Sequence, residues 1–138
     1  MPEPDSRRHI LIMEDEAVIR GLLVKTLERN GFRVSEAADG RAALEIYRAC
    51  LSEGSPPDLV MLDLMVPGGM GGKEALASLR EFAPDAKVII ASGYSDEDEL
   101  DELREEGRTT ILSKPYDIKR LIASVEALHD TPANPGEA

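Results

Sequence analysis

Leu59-Val60-Met61-Leu62-Asp63 is a run of four apolar residues that ends on a carboxylate. A run this short, apolar without alternation, reads as a strand covered on both faces, the form strands take inside a parallel sheet. Three further runs share that character: Ile10-Leu11-Ile12-Met13, Val88-Ile89-Ile90-Ala91 and the shorter Ile111-Leu112. A weaker one lies at Phe32-Arg33-Val34. The stretches between them are helical in spacing. Val18, Leu22, Leu23, Thr26 and Leu27 recur as one face of a helix from about Ala17 to Arg29, stopped by Asn30-Gly31. Asp39 stands as the cap of a second helix with Ala43, Leu44, Tyr47, Cys50 and Leu51 on one face, closed by Gly54 and Pro56-Pro57. A third runs from about Gly72 to Phe82, with Ala75, Leu76 and Leu79 inward and Pro84 beyond its end. Ser95 and Asp98 resemble a capping box for a fourth, which carries Leu100 and Leu103 and stops at Gly107. The fifth follows Asp117 and places Ile118, Leu121, Ile122, Val125 and Leu128 on one stripe.

This order of strand and helix predicts an α/β fold of (βα)5 type, a doubly wound five-stranded parallel sheet. A chain of 138 residues accommodates one such domain and no second core. The domain is expected over residues 9–129, between a flexible N-terminal segment, 1–8, and a flexible, proline-bearing C-terminal tail, 130–138. Hydrophobic residues at 42% and charged residues at 31% give a globular balance. No apolar stretch is long enough to span a bilayer and the first residues have no signal-peptide core, so no membrane association is expected. A single cysteine, Cys50, makes neither an internal disulfide nor a CxxC site, which fits a reducing, cytoplasmic location and a small core side chain. His9 and His129 flank the domain without ligand-spaced partners and are expected in solvent.

The net charge of −11 repels a phosphate backbone, which argues against direct nucleic-acid binding. Eight acids and one Arg between Asp96 and Glu106 contribute −7 of that charge. Such a run is a solvated helix face or a docking surface for a basic patch on a partner.

In a doubly wound sheet the ligand site lies beyond the carboxyl ends of the strands. There the chain places Glu14-Asp15-Glu16, Asp63, Ser92 and Lys114-Pro115. Carboxylates brought together repel one another unless a cation joins them, and hard oxygen donors in a wet site suit Mg²⁺ or Mn²⁺ rather than zinc. A lysine and a hydroxyl facing the metal would grip the oxygens of a phosphoryl group in transfer, and a carboxylate would be its nucleophile.

The Glu14-Asp15 pair, Asp63 at a strand end, Ser92 within Ala-Ser-Gly-Tyr, and Lys114-Pro115 resemble the site of response-regulator receiver domains of two-component signalling. The resemblance covers about Arg8 to Leu128 and implies a flavodoxin-like strand order, 2-1-3-4-5. It implies that Asp63 accepts a phosphoryl group from a phosphohistidine of a sensor histidine kinase or histidine phosphotransfer protein. Asp15, Asp63 and the main-chain carbonyl of Met65 would hold Mg²⁺, with Glu14 acting through water. Ser92 would close on the phosphoryl group and Lys114 would pair with it. Such a domain is a regulator, not an enzyme; it catalyses only its own phosphorylation and slow dephosphorylation. With no further module after Leu128, a stand-alone regulator, a relay intermediate or a fragment of a hybrid kinase is expected.

Three features depart from the usual pattern. Glu14 stands where Asp is more frequent, and Ile111 replaces a switching aromatic three residues before the lysine. The glycine-rich loop Val66 to Gly72 is similar to receivers of hybrid sensor kinases, which hints at a phosphorelay. A pseudo-receiver that signals without phosphate is the main competing reading. A haloacid dehalogenase-type phosphatase would carry a second Asp two residues after the nucleophile, where this chain has Met65. A flavin binder would need stacking aromatics, and the chain has two Phe, three Tyr and no Trp.

Overall fold

The computed structural model describes residues 7–64, 71–92, 109–113 and 117–129. Strands β1 (His9–Met13), β2 (Arg33–Ala37), β3 (Leu59–Asp63), β4 (Val88–Ser92) and β5 (Thr109–Ser113) form one sheet in the order 2-1-3-4-5. Every neighbouring pair is parallel. Helices α1 (Ala17–Arg29), α2 (Gly40–Ser52), α3 (Gly72–Phe82) and α4 (Ile118–His129) complete the described elements. The helix expected between Ser95 and Gly107, with its acidic run Asp96 to Glu106, lies outside the described residues, as does Tyr94.

Successive side chains of a strand point to opposite faces, so an unbroken apolar strand feeds two cores. Leu11, Met13, Val60, Leu62, Val88 and Ile90 pack with Leu44 and Tyr47 of α2 and Leu76 and Leu79 of α3. Ile10, Ile12, Leu59, Met61 and Ile89 pack with Leu23 and Leu27 of α1 and Leu121 and Val125 of α4. Each fully buried aliphatic side chain contributes roughly 1.5–3 kcal/mol. The helix stops fall where expected. Gly31 takes a left-handed φ of 91° and its amide donates to the Glu28 carbonyl, while Phe32 N–H donates to Leu27 O at 3.1 Å and its ring is buried. Asp39 caps α2 by accepting from Ala42 N–H at 2.9 Å, and Asp117 Oδ1 accepts from Arg120 N–H at 2.8 Å at the start of α4.

Several details differ from the sequence reading. Val18 and Leu22, expected on the inner face of α1, are 86% and 63% exposed; only Leu23 and Leu27 of that helix are buried. On α2, Leu51 is 41% exposed and Cys50 is half-buried. Strand β2 begins one residue later than Phe32 and continues to Ala37. It is an edge strand with β1 as its neighbour, so Ser35 and Glu36 can belong to it without an apolar signal. His9 is buried, not solvated. Its Nε2 lies 2.7 Å from Ser35 Oγ, and its backbone N–H donates to Asp58 Oδ2 at 2.7 Å. Arg8 is tied to the domain, ion-paired with Glu126 at 2.8 Å and stacked 4.8 Å over the Phe32 ring. No helix among the described residues is long and apolar enough to cross a membrane.

Candidate metal and phosphoryl site

The site is built at the carboxyl ends of β1 and β3, which lie side by side although α1, β2 and α2 separate them in sequence. Beyond Met13, the Glu14 amide still donates to Ala37 O at 3.0 Å, so the backbone of Glu14 stays in line with β2 before the chain turns. The turn ends at Glu16, the extended residue that opens α1, whose N–H lies 3.4 Å from Glu14 Oε1. Asp63 is the last residue of β3. Its Cα faces Ala91 of β4, and Leu64 N–H donates to Ala91 O at 3.0 Å. Ser92 follows one residue further on and is buried.

One carboxylate oxygen from each of Glu14, Asp15 and Asp63 lies within 4.8 Å of the others. Glu14 and Asp63 are only 5% and 4% exposed, so two of the three carboxylates are largely withdrawn from water. The donor set, all carboxylate oxygen, fits a hard divalent ion. Ser92 brings a hydroxyl to the same end of the sheet. The β4–β5 register pairs Ser92 with Ser113, the residue before Lys114. Lys114, Pro115 and Met65 themselves lie outside the described residues.

Two neighbours of the site were not legible in the sequence. A Cβ at Gly72 would meet Asp63 O at 2.6 Å and the Asp63 carbonyl carbon at 3.0 Å. The first residue of α3 therefore presses against the main chain of Asp63, and glycine is what allows the approach. Arg20 of α1 folds back on the acidic turn, donating from Nη1 to the Glu14 carbonyl at 2.8 Å, while its Nε donates to Glu36 Oε1 at 3.1 Å. A cavity of about 470 Å³ lies elsewhere: Tyr47, Pro57, Phe82 and Lys87 line it at the amino ends of β3 and β4.

Sheet order and acidic cluster define an α/β domain with an oxygen-donor pocket where the winding of the sheet reverses between β1 and β3. The chain belongs to the family described as "Response regulator receiver domain", whose model matches residues 10–126; it is a receiver domain of the two-component type. Among curated relatives it is 35% identical to the alkaline phosphatase synthesis transcriptional regulatory protein SphR of Synechococcus elongatus, covering 92% of this chain and 51% of that protein. Sporulation initiation phosphotransferase F of Bacillus subtilis is 35% identical, over 85% of this chain and 90% of its own. The chain thus spans about half the length of the first relative and nearly all of the second. Among solved structures, the CheX-CheY-BeF3-Mg complex from Borrelia burgdorferi matches with a TM-score of 0.80 at 26% identity, covering 90% of each chain. The receiver domain of the hybrid histidine kinase CckA matches with a TM-score of 0.72 at 32% identity, covering 88% of this chain and 99% of that one.

Proposed function

We propose that Asp63 accepts a phosphoryl group from a phosphohistidine and that the modified domain changes its affinity for a partner. The observation that carries this reading is the meeting of Glu14, Asp15 and Asp63 within 4.8 Å at the carboxyl end of the sheet. Glu14, Asp15 and Asp63, with the Met65 carbonyl, would hold Mg²⁺, which supplies charge neutralisation for a phosphoryl group in transfer. An Asp63 carboxylate oxygen forms the new bond to phosphorus, the P–N bond to the donor imidazole breaks, and its electron pair leaves on the imidazole nitrogen. Lys114 neutralises the transferring oxygens. Ser92 donates its hydroxyl to the new dianion, shifting an existing equilibrium between two conformations. Hydrolysis of the acyl phosphate resets the domain.

The donor is a sensor histidine kinase or histidine phosphotransfer protein. Val18, Ile19 and Leu22 support a docking face beside the site. They are exposed apolar side chains on the first turns of α1, directly after the acidic turn. A relay role has the support of the likeness to the CckA receiver and to sporulation initiation phosphotransferase F.

The test is incubation with a small acyl-phosphate donor with and without Mg²⁺, read by intact mass. A single phosphoryl adduct that forms with Mg²⁺ and fails to form under chelation supports the proposal. Mg²⁺ binding without any adduct, from this donor and from a phosphohistidine protein alike, would favour a pseudo-receiver.

A further inference from the structure

We infer that Arg20 is a positioning residue for the metal and phosphoryl site, holding the turn that carries Glu14 and Asp15; the inference rests on reading that site as a Mg²⁺ site. A turn that must present two carboxylates toward a third repels Asp63 and has reason to swing outward. What opposes the swing is a clamp from behind. Arg20 Nη1 donates to the Glu14 carbonyl at 2.8 Å and lies 3.5 Å from the Asp15 carbonyl. The same guanidinium is held on its other edge by Glu36 Oε1, 3.1 Å from Nε.

Each partner is fixed by the fold. Arg20 sits in the first turns of α1, with its own amide bonded to Glu16 O at 2.8 Å. Glu36 lies on β2 opposite Ile12 of β1, two residues before Glu14. The planar fork of arginine can reach a main-chain carbonyl and a carboxylate together, which a lysine ammonium does not reproduce. With its side chain 19% exposed, Arg20 is shielded enough for these bonds to hold a geometry.

Two effects of Arg20 on Mg²⁺ have opposite signs, and this makes the idea testable. As a clamp, it strengthens metal binding by holding the carboxylates in place. As a nearby positive charge, it weakens the attraction of a cation. The structure favours the clamp, because both contacts to the turn are made to carbonyl oxygens and Glu36 offsets the charge.

The experiment is calorimetric titration of Mg²⁺ into the full chain and into Arg20→Gln, Arg20→Lys and Glu36→Gln, with thermal unfolding of each apo protein. Arg20→Gln and Arg20→Lys are both expected to weaken Mg²⁺ binding by about five- to tenfold, as loss of a ligand-orienting partner does. Glu36→Gln, which keeps the carbonyl contacts but loosens their anchor, is expected to weaken it by about two- to threefold. Apo unfolding temperatures should move little.

Full-strength binding in Arg20→Lys together with tighter binding in Arg20→Gln would overturn the inference, leaving charge alone. Weaker binding that tracks a large fall in apo unfolding temperature would overturn it too, as a general loss of structure. Failure of the unaltered protein to bind Mg²⁺ would overturn the reading of the site, and the inference with it. A wild-type protein that binds Mg²⁺ alongside Arg20 variants that bind equally well would overturn the inference alone.

Discussion

Asp63, the last residue of β3, is 4% exposed and stands among apolar neighbours in sequence. The sequence made this residue visible because a single acid after four apolar residues has no packing reason to be there. Glu14 and Asp15 were legible on the same ground, and Ser92 from its place at the end of β4. Gly72 was not, because its role is a distance to Asp63 and not a pattern along the chain. Arg20 and Glu36 escaped for a similar reason: each looks like a solvated charge until α1 and β2 are placed beside β1. Gly72→Ala would set a Cβ 2.6 Å from Asp63 O, so the start of α3 or the end of β3 must move. The expected cost is about 1–3 kcal/mol in urea unfolding, with slower phosphorylation from a small donor. Unchanged stability and rate would show that α3 yields without disturbing Asp63.

Helix α1 shows how far periodicity can be trusted at the scale of an element. Apolar residues at helical spacing correctly gave its limits, and Leu23 and Leu27 are buried as a helix packing on the sheet requires. Val18 and Leu22 fit the same pattern, yet they face out beside Ile19, because helical spacing marks apolar positions without saying which of them the sheet covers. The edge strands were partly hidden for the opposite reason: β2 and β5 carry more polar residues than the central strands do. Leu22→Ala removes surface that the fold does not bury, so stability should stay within about 0.5 kcal/mol. Phosphotransfer from a phosphohistidine protein should slow by tenfold or more, while phosphorylation by a small acyl phosphate stays unchanged. Equal slowing with both donors would move the effect from docking to the site itself.

The whole molecule was the most legible level, since four of the five helical stretches and all five strands fall where apolar runs and caps placed them. Its stability and its function meet in the acidic cluster. Three carboxylates lie within 4.8 Å there, and a cation that bound only the folded chain would stabilise it by mass action. At a Mg²⁺ concentration of 100 times its dissociation constant the gain is about 2.7 kcal/mol. Asp15→Asn should raise the stability of the metal-free protein and remove most of the Mg²⁺-dependent gain, as read by thermal unfolding with and without Mg²⁺. A variant as Mg²⁺-responsive as the natural chain would exclude Asp15 from the metal site.

The most direct measurement is chemical trapping of the phosphorylated residue. The chain is phosphorylated in Mg²⁺, reduced with borohydride, which converts an aspartyl phosphate to homoserine, and mapped by peptide mass spectrometry. Homoserine at position 63, absent from Asp63→Asn, is the result expected. Trapping at another carboxylate, or a phosphoryl adduct that persists in Asp63→Asn under the same conditions, would contradict the assignment of Asp63 as the acceptor.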